Sequence, residues 1–232
     1  MKRTQQSILP DELIRQLQDS IGSKQVSADL LDLSAVAADA SHYLLTPGAL
    51  VRATTADDVA CAMTAARRHK VSLTFRSGGT SLSGQGLTDG IMVDTRRAFR
   101  GIEVFDEGRR VRVQPGATIR AVNTALARYQ RKLGPDPASS VACTVGGVLA
   151  DNSSGMSCGT IANSYQTLES MVIVLASGTV LDTADPDADD KLCSTEPELV
   201  ETLLRLRETC RRPEHAERIR HLFSMKNTMG YG

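Results

Sequence analysis

The chain has 232 residues, 41% of them hydrophobic, which suits one large domain or two small ones around a buried core. Lys+Arg and Asp+Glu both total 27, so no overall field draws the chain to nucleic acid or to an acidic membrane surface, and any anion site has to be local. No stretch approaches the roughly 18 apolar residues of a membrane span, and the N-terminus leads into polar sequence instead of a signal-peptide core, so the cytoplasm is the expected compartment.

Leu13, Ile14, Leu17 and Ile21 have helical spacing, with Gly22 as a break, and residues 1–42 read as a peripheral helical lead-in to a domain running from Tyr43 to the end, 43–232. Val51 falls in a short strand. Thr55-x-x-Asp58 then has the form of a capping box opening a helix with Val59, Met63 and Ala66 on one face. Val71, Leu73 and Phe75 alternate with Ser72 and Thr74 as a half-buried strand, which completes a β-α-β unit. Beyond Gln85 hairpins are expected: Ile91 to Val93, then Gly101 to Phe105, a turn at Asp106-Glu107-Gly108, and Arg110 to Val113. Ile119, Val122, Leu126 and Tyr129 mark one face of a helix, and Gly134-Pro-Asp-Pro137 a rigid loop. Met171 to Leu175 and Thr179 to Leu181 read as a hairpin closed by Ser177-Gly178. The acidic run Asp182 to Asp190 reads as a solvated loop, since it has neither the glycine nor the terminal glutamate of an EF-hand, and two helices fill 196–223.

The segment Arg76-Ser-Gly-Gly-Thr-Ser-Leu-Ser-Gly-Gln85 leaves the carboxyl end of the second strand of the β-α-β unit, where ligands of such units bind. Gly78, Gly79 and Gly84 let backbone N–H groups turn inward, Ser77, Thr80 and Ser81 add hydroxyls, and Arg76 adds positive charge; together they suit a bound phosphate. The dinucleotide fingerprint and the P-loop both fail, because Gln85 and Gly86 stand where the latter needs a lysine and a hydroxyl. A second cluster spans 134–160, where Thr144-Val-Gly-Gly147 could open a short helix whose N-terminal N–H groups face the same anion. Inside it, Gly155-Met-Ser157-Cys-Gly159 matches the G-x-S-x-G elbow, and with His215 or His221 and an acid among Asp182 to Asp190 it supplies a competing serine-hydrolase reading. Flanking sequence makes a poor strand and a poor helix, which counts against it. A nucleotide-binding domain without redox chemistry is the other alternative. Five cysteines with no C-x-x-C pair and four histidines without ligand spacing point to neither a disulfide framework nor a metal.

Taken in order, the Arg76–Gln85 loop, Pro135-Asp-Pro-x-Ser139, Thr144-Val-Gly-Gly147, Asn152-Ser-Ser-Gly155 and Val172-Ile-Val-Leu-Ala-Ser-Gly178 resemble the FAD-binding (PCMH-type) domain of the vanillyl-alcohol oxidase and p-cresol methylhydroxylase superfamily. Within it they are most similar to the FAD-linked D-2-hydroxyacid dehydrogenases: D-lactate dehydrogenase, the glycolate oxidase FAD subunit and D-2-hydroxyglutarate dehydrogenase. The resemblance implies an α+β fold of two subdomains, a small β-α-β unit and a larger mainly antiparallel sheet with helices, with FAD between them. It implies that Arg76, Ser77, Gly78, Gly79, Thr80 and Ser81 hold the pyrophosphate, that Gln85 lies near the flavin, and that Pro135, Asp136, Ser139, Thr144, Gly146, Gly147, Ala150 and Asn152 form a second set of FAD contacts. Thr80 stands where covalent members carry a histidine, so non-covalent FAD is implied. The implied reaction passes a hydride from the carbinol carbon of a small 2-hydroxy acid to the flavin, with an electron acceptor left open.

In the resembled family Lys226 to Gly232 is an interior motif near the flavin, so the chain is expected to be an N-terminal fragment, incomplete at its C-terminus and inactive alone. Asn227, Thr228 and Tyr231 are the residues expected to approach substrate or flavin. No catalytic base is assigned; any iron–sulfur cluster, metal ligand or peripheral membrane contact would belong to the remainder.

Overall fold

The computed structural model describes residues 9–225, so the expectations for Asn227, Thr228 and Tyr231 lie outside the described residues. The chain opens with helix α1 (Asp11–Ile21), strand β1 (Val26–Ser27) and helix α2 (Leu30–Ser34), then alternates β2 (Ala49–Arg52), α3 (Ala56–His69) and β3 (Leu73–Arg76) before β4 (Ile91–Asp94). The four strands form one sheet in the order β1-β2-β4-β3. β4 is parallel to both neighbours, with Val51 and Phe75 each opposite Val93, while β1 is antiparallel at the edge.

Side chains alternate across this sheet, and each face has its own cover. Ala49, Val51, Ile91 and Val93 point into a core shared with Leu13, Ile14, Leu17 and Ile21 of α1 and Val59, Ala62, Ala65 and Ala66 of α3. Leu50 and Met92 point the other way, onto Leu33 and Val36. Two expectations are corrected here. Residues Ile91–Val93 do not begin a hairpin but form the fully buried centre of the parallel sheet, and α1 is not peripheral, because its apolar stripe is sealed against α3 and β1. The Thr55 capping box is present: the Thr55 hydroxyl accepts from Asp58 N–H at 3.1 Å, and the Asp58 carboxylate accepts from the N–H groups of Thr54 and Thr55 at 2.7 and 3.1 Å.

The antiparallel part consists of two separate hairpins. β5 (Ile102–Phe105) and β6 (Arg110–Val113) meet across the expected turn at Asp106–Gly108 and turn Ile102, Val104, Val111 and Val113 onto Val122 and Leu126 of α4 (Ile119–Ala127). Tyr129 lies past the end of α4 instead of on its face. Two short helices, α5 (Val145–Asp151) and α6 (Ser164–Thr167), precede the second hairpin, β7 (Val172–Val174) and β8 (Val180–Asp182). Val174 packs against the core of the first sheet, and Thr64 donates to the Ser177 carbonyl at 3.3 Å. The end of the acidic run winds into α7 (Ala188–Thr195) instead of staying a loop throughout, and α8 (Pro197–Arg211) and α9 (Pro213–Ser224) follow without a buried residue. The class is α+β, as expected.

The carboxyl end of β4 carries an ion pair between buried Asp94 and half-buried Arg96. Asp94, 2% exposed, accepts from the Arg96 side chain at 3.2 and 2.9 Å and from its backbone N–H at 2.8 Å. Burial alone would raise the Asp94 carboxyl, but the hydrogen bonds and charge of Arg96 hold it below the ordinary carboxylate range. A depressed carboxyl lends stability that is complete above its unfolded pKa and is lost as pH falls through the folded value. The thermal midpoint is therefore expected to decline below about pH 4, and Asp94→Asn, less stable at neutral pH, to show a shallower acid decline.

Candidate cofactor site

β3 runs directly into the first glycine loop. Gly79 (φ 65°) and Gly84 (φ 78°) adopt left-handed backbone, where a side chain is strained, and this lets the loop curl back on itself. The N–H groups of Gly78, Gly79, Thr80, Ser81 and Leu82 find no acceptor among the described residues. Five successive open amides at the carboxyl end of a parallel strand make a cradle for an anion.

The loop is closed on the second cluster. A Cβ at Gly78 would lie 2.3 Å from the Ala142 carbonyl oxygen and 2.9 Å from Cys143 Cα, so only glycine lets the two backbones touch. Beside it the hydroxyls of Ser77 and Thr144 are hydrogen-bonded, and a Cβ added at Gly147 would stand 3.9 Å from Ser77. Both predicted segments thus meet at one seam.

The individual residues divide into those that face the cradle and those that build it. Arg76 is 7% exposed and does not reach into the loop: its Nη2 donates to the Ala38 carbonyl at 2.6 Å and its Nη1 to that of Val36 at 3.4 Å. The guanidinium lies beneath Gly79, with burial and then Arg96 lowering its pKa while Asp39 and Asp94 work to restore it. Its charge acts on the loop from behind. Gln85 is exposed and accepts from the Ser81 hydroxyl. Thr80 and Ser81 are half-buried in the loop itself.

In the second cluster Thr144 stands at the N-cap position of α5 without a side-chain cap bond, its hydroxyl being held by Ser77, and the helix does not offer its first amides to a ligand as expected. Val145 N–H donates to the Ala117 carbonyl and Gly146 N–H to that of Pro115, both at 2.9 Å, because the loop before α4 crosses over the start of α5. Pro135 is buried, and the Ser139 carbonyl accepts from Ala142 and Cys143 at 2.8 Å, which shapes the turn that meets Gly78. Asp136 accepts from the backbone N–H of Ser157 at 3.2 Å and from its hydroxyl, so it ties the 153–158 turn in place. Ala150 is exposed on α5. Asn152 ends α5 in left-handed conformation (φ 53°), and its buried Oδ1 has no hydrogen-bond partner among the described residues. A buried acceptor left open costs about 1–3 kcal/mol, so Asn152 awaits a donor.

The hydrolase reading is not supported. Gly155 to Gly159 lies in turns with no strand before it, α6 is only four residues long, and the Ser157 hydroxyl is committed to Asp136. Among the described residues no group of three His, Cys, Asp or Glu side chains could hold a metal, and no helix is long and apolar enough to cross a membrane. Sequence reasoning missed the contribution of residues 36–43, whose hydrogen bonds to the loop come from the backbone of Val36, Ala38 and Ala40 and so carry no motif; the run of small residues from Ser34 to Ser41 is the one signal, since it permits close approach.

An α+β fold with a glycine-lined cradle of open amides has the donor set of a domain that binds a phosphate-bearing cofactor. Residues 47–184, more than half of the chain, match the FAD binding domain model, and the chain belongs to that family. It is similar to D-2-hydroxyglutarate dehydrogenase of Pseudomonas putida, 39% identical over 148 residues that cover 62% of this chain and 15% of that protein. It is similar also to glycolate oxidase subunit GlcD of Escherichia coli, 32% identical over 120 residues, 51% of this chain and 24% of that one. The chain therefore spans between 15% and 24% of the length of these two relatives. Its fold is shared with alkyldihydroxyacetonephosphate synthase (TM-score 0.64, 19% identity, 78% of this chain and 38% of that chain). Substrate-bound p-cresol methylhydroxylase shares it too (TM-score 0.59, 17% identity, 76% and 37%). The family resemblance read from the two glycine segments is thus borne out.

Proposed function

We propose that the chain is the FAD-binding part of a flavin-dependent oxidoreductase that oxidises a D-2-hydroxy acid such as D-lactate, D-2-hydroxyglutarate or glycolate. The observation that carries this reading is the run of open amides from Gly78 to Leu82 in a member of the FAD binding domain family. The residues present fit the cofactor: those amides would hold the pyrophosphate, and the open Asn152 Oδ1 would accept from a cofactor N–H or hydroxyl. When bound, FAD supplies the hydride acceptor that side chains lack. What this chain contributes is positioning. Gly78 and the Ser77–Thr144 contact keep the two segments closed, Asp136 holds the 153–158 turn, and buried Arg76 offsets the phosphate charge. Thr80 has no atom able to form the covalent flavin bond made by a histidine, so the cofactor is held non-covalently. Five unpaired thiols suit a reducing, cytoplasmic setting.

Titration of FAD, ADP and FMN into the purified chain, followed by flavin fluorescence and the unfolding midpoint, tests the reading. FAD and ADP are expected to stabilise the chain and FMN to do so least, because only the first two carry a pyrophosphate. In Gly79→Asp the added Cβ would stand 2.7–2.9 Å from the Arg76 guanidinium in strained left-handed backbone, so the loop must shift while the carboxylate neutralises the buried counter-charge, and a loss of FAD affinity of about 100-fold or more is expected. A folded chain that prefers FMN, or a Gly79→Asp variant that binds FAD normally, would remove the pyrophosphate assignment. Binding of FAD with a flavin that hydroxy acids never reduce, once the chain is joined to the remainder of its relatives' length, would favour a nucleotide carrier.

A further inference from the structure

The loop between α2 and β2 lies outside the stretch that matches the family model, yet it is built against the cradle. It is a closed turn: Leu45 N–H donates to the Ala37 carbonyl at 3.0 Å, Ser41 N–H to the Asp39 carboxylate at 2.8 Å, and Tyr43 N–H to the Ser41 hydroxyl at 3.1 Å. From this turn four contacts reach the glycine loop. The carbonyls of Val36 and Ala38 hold the Arg76 guanidinium under Gly79, and Ala40 N–H donates to the Gly79 carbonyl at 2.9 Å. The Tyr43 ring lies so close to Gly84 that a Cβ there would be 2.8 Å from its Cδ2. The Asp39 carboxylate, its buried Oδ2 without a hydrogen-bond partner among the described residues, sits beside Gly86 and the Arg76 charge.

One of these contacts bears directly on the donor set. The Gly79 carbonyl and the Thr80 N–H belong to a single planar trans peptide unit and point in opposite directions. Holding the carbonyl on Ala40 therefore aims the Thr80 N–H away from the turn, on the side of the open amides. A glycine peptide without this tie can rotate at little cost, and a rotated plane would present a carbonyl oxygen to the anion.

We propose that residues 36–43 are a positioning element of the anion cradle, which fixes the Gly79–Thr80 peptide plane through Ala40 and seats Arg76 as a buried counter-charge beneath it. The proposal rests on the reading of the cradle as a pyrophosphate site. Ala40 and Tyr43 act through Gly79 and Gly84.

The test compares the parent chain with Ala40→Pro, which removes the one N–H, and with the pair Tyr43→Ala and Tyr43→Phe at an exposed position. The probes are inorganic pyrophosphate and FAD. Ala40→Pro is expected to raise Kd for both by about tenfold, the scale of one backbone hydrogen bond, while the unfolding midpoint stays within about 4 °C of the parent. The Thr80 amide resonance, shifted by pyrophosphate in the parent, is expected not to shift in the variant. Tyr43→Ala should weaken both probes by a smaller factor and Tyr43→Phe restore them. Unchanged affinity in Ala40→Pro and Tyr43→Ala, or a lower midpoint with normal binding by the folded fraction, would overturn the proposal. If Ala40→Pro does not fold, the Tyr43 pair decides. A parent that binds pyrophosphate but not FAD would sink the cofactor reading and leave this one to be judged on pyrophosphate; a parent that binds neither sinks both.

Discussion

Gly78→Ala is expected to abolish stabilisation by FAD and to lower the stability of the chain by about 1–3 kcal/mol, the usual cost of forcing one methyl into a packed site. The methyl meets main-chain atoms, the carbonyl of Ala142 at 2.3 Å and the Cα of Cys143 at 2.9 Å, and neither can move aside as a flexible side chain would. Relief requires the two glycine segments to separate, which also parts the Ser77 and Thr144 hydroxyls. Gly147→Ala is the matching control for stability, because its added carbon would stand 3.9 Å from Ser77, an ordinary contact. Chemical denaturation with and without FAD reads both quantities. Wild-type affinity in Gly78→Ala would mean that the seam is not needed for binding.

The second large effect concerns α1. Leu17 is 1% exposed within the core under the parallel sheet, and Leu17→Ala is expected to cost about 2–5 kcal/mol. Leu31, 82% exposed, gives the comparison: Leu31→Ala should change stability by no more than about 0.5 kcal/mol. Urea unfolding curves of the two variants separate a core helix from a peripheral one. A cost at Leu17 as small as that at Leu31 would return α1 to the periphery.

The helix of residues 11–21 was legible in the sequence, but its depth was not. A stripe at Leu13, Ile14, Leu17 and Ile21 has the same period whether it covers the edge of a domain or its centre, and only the α3 and β1 surfaces beneath it decide. Ile91-Met92-Val93 is a comparable case. A short apolar run bounded by glycine says that a strand is buried, and does not say which strands flank it or in which direction. The first cradle loop was readable because its chemistry is local: glycines for left-handed turns and hydroxyls beside them. What escaped was main-chain traffic between distant segments. Ala40 N–H on Gly79, and the carbonyls of Ala117 and Pro115 that occupy the first amides of α5, involve groups that every residue has, so no residue type marks them. For the same reason the direction of the Arg76 side chain, down toward Val36 and Ala38, is not legible in the sequence.

The sheet order has a consequence for how this protein comes to be made. β4 is the last of the four strands to leave the ribosome, yet it fills the middle position, between β2 and β3. Until Asp94 has emerged, β2 has only the two residues of β1 for a partner and β3 has none, while Val51 and the apolar stripe of α1 already seek cover. Insertion of a central strand between two waiting ones closes a long loop before any contact rewards it, which slows folding and leaves sticky edges open in the meantime. The nascent chain thus exposes unpaired strand edges until just before the cradle can exist, since the loop that forms it is the connection between β3 and β4.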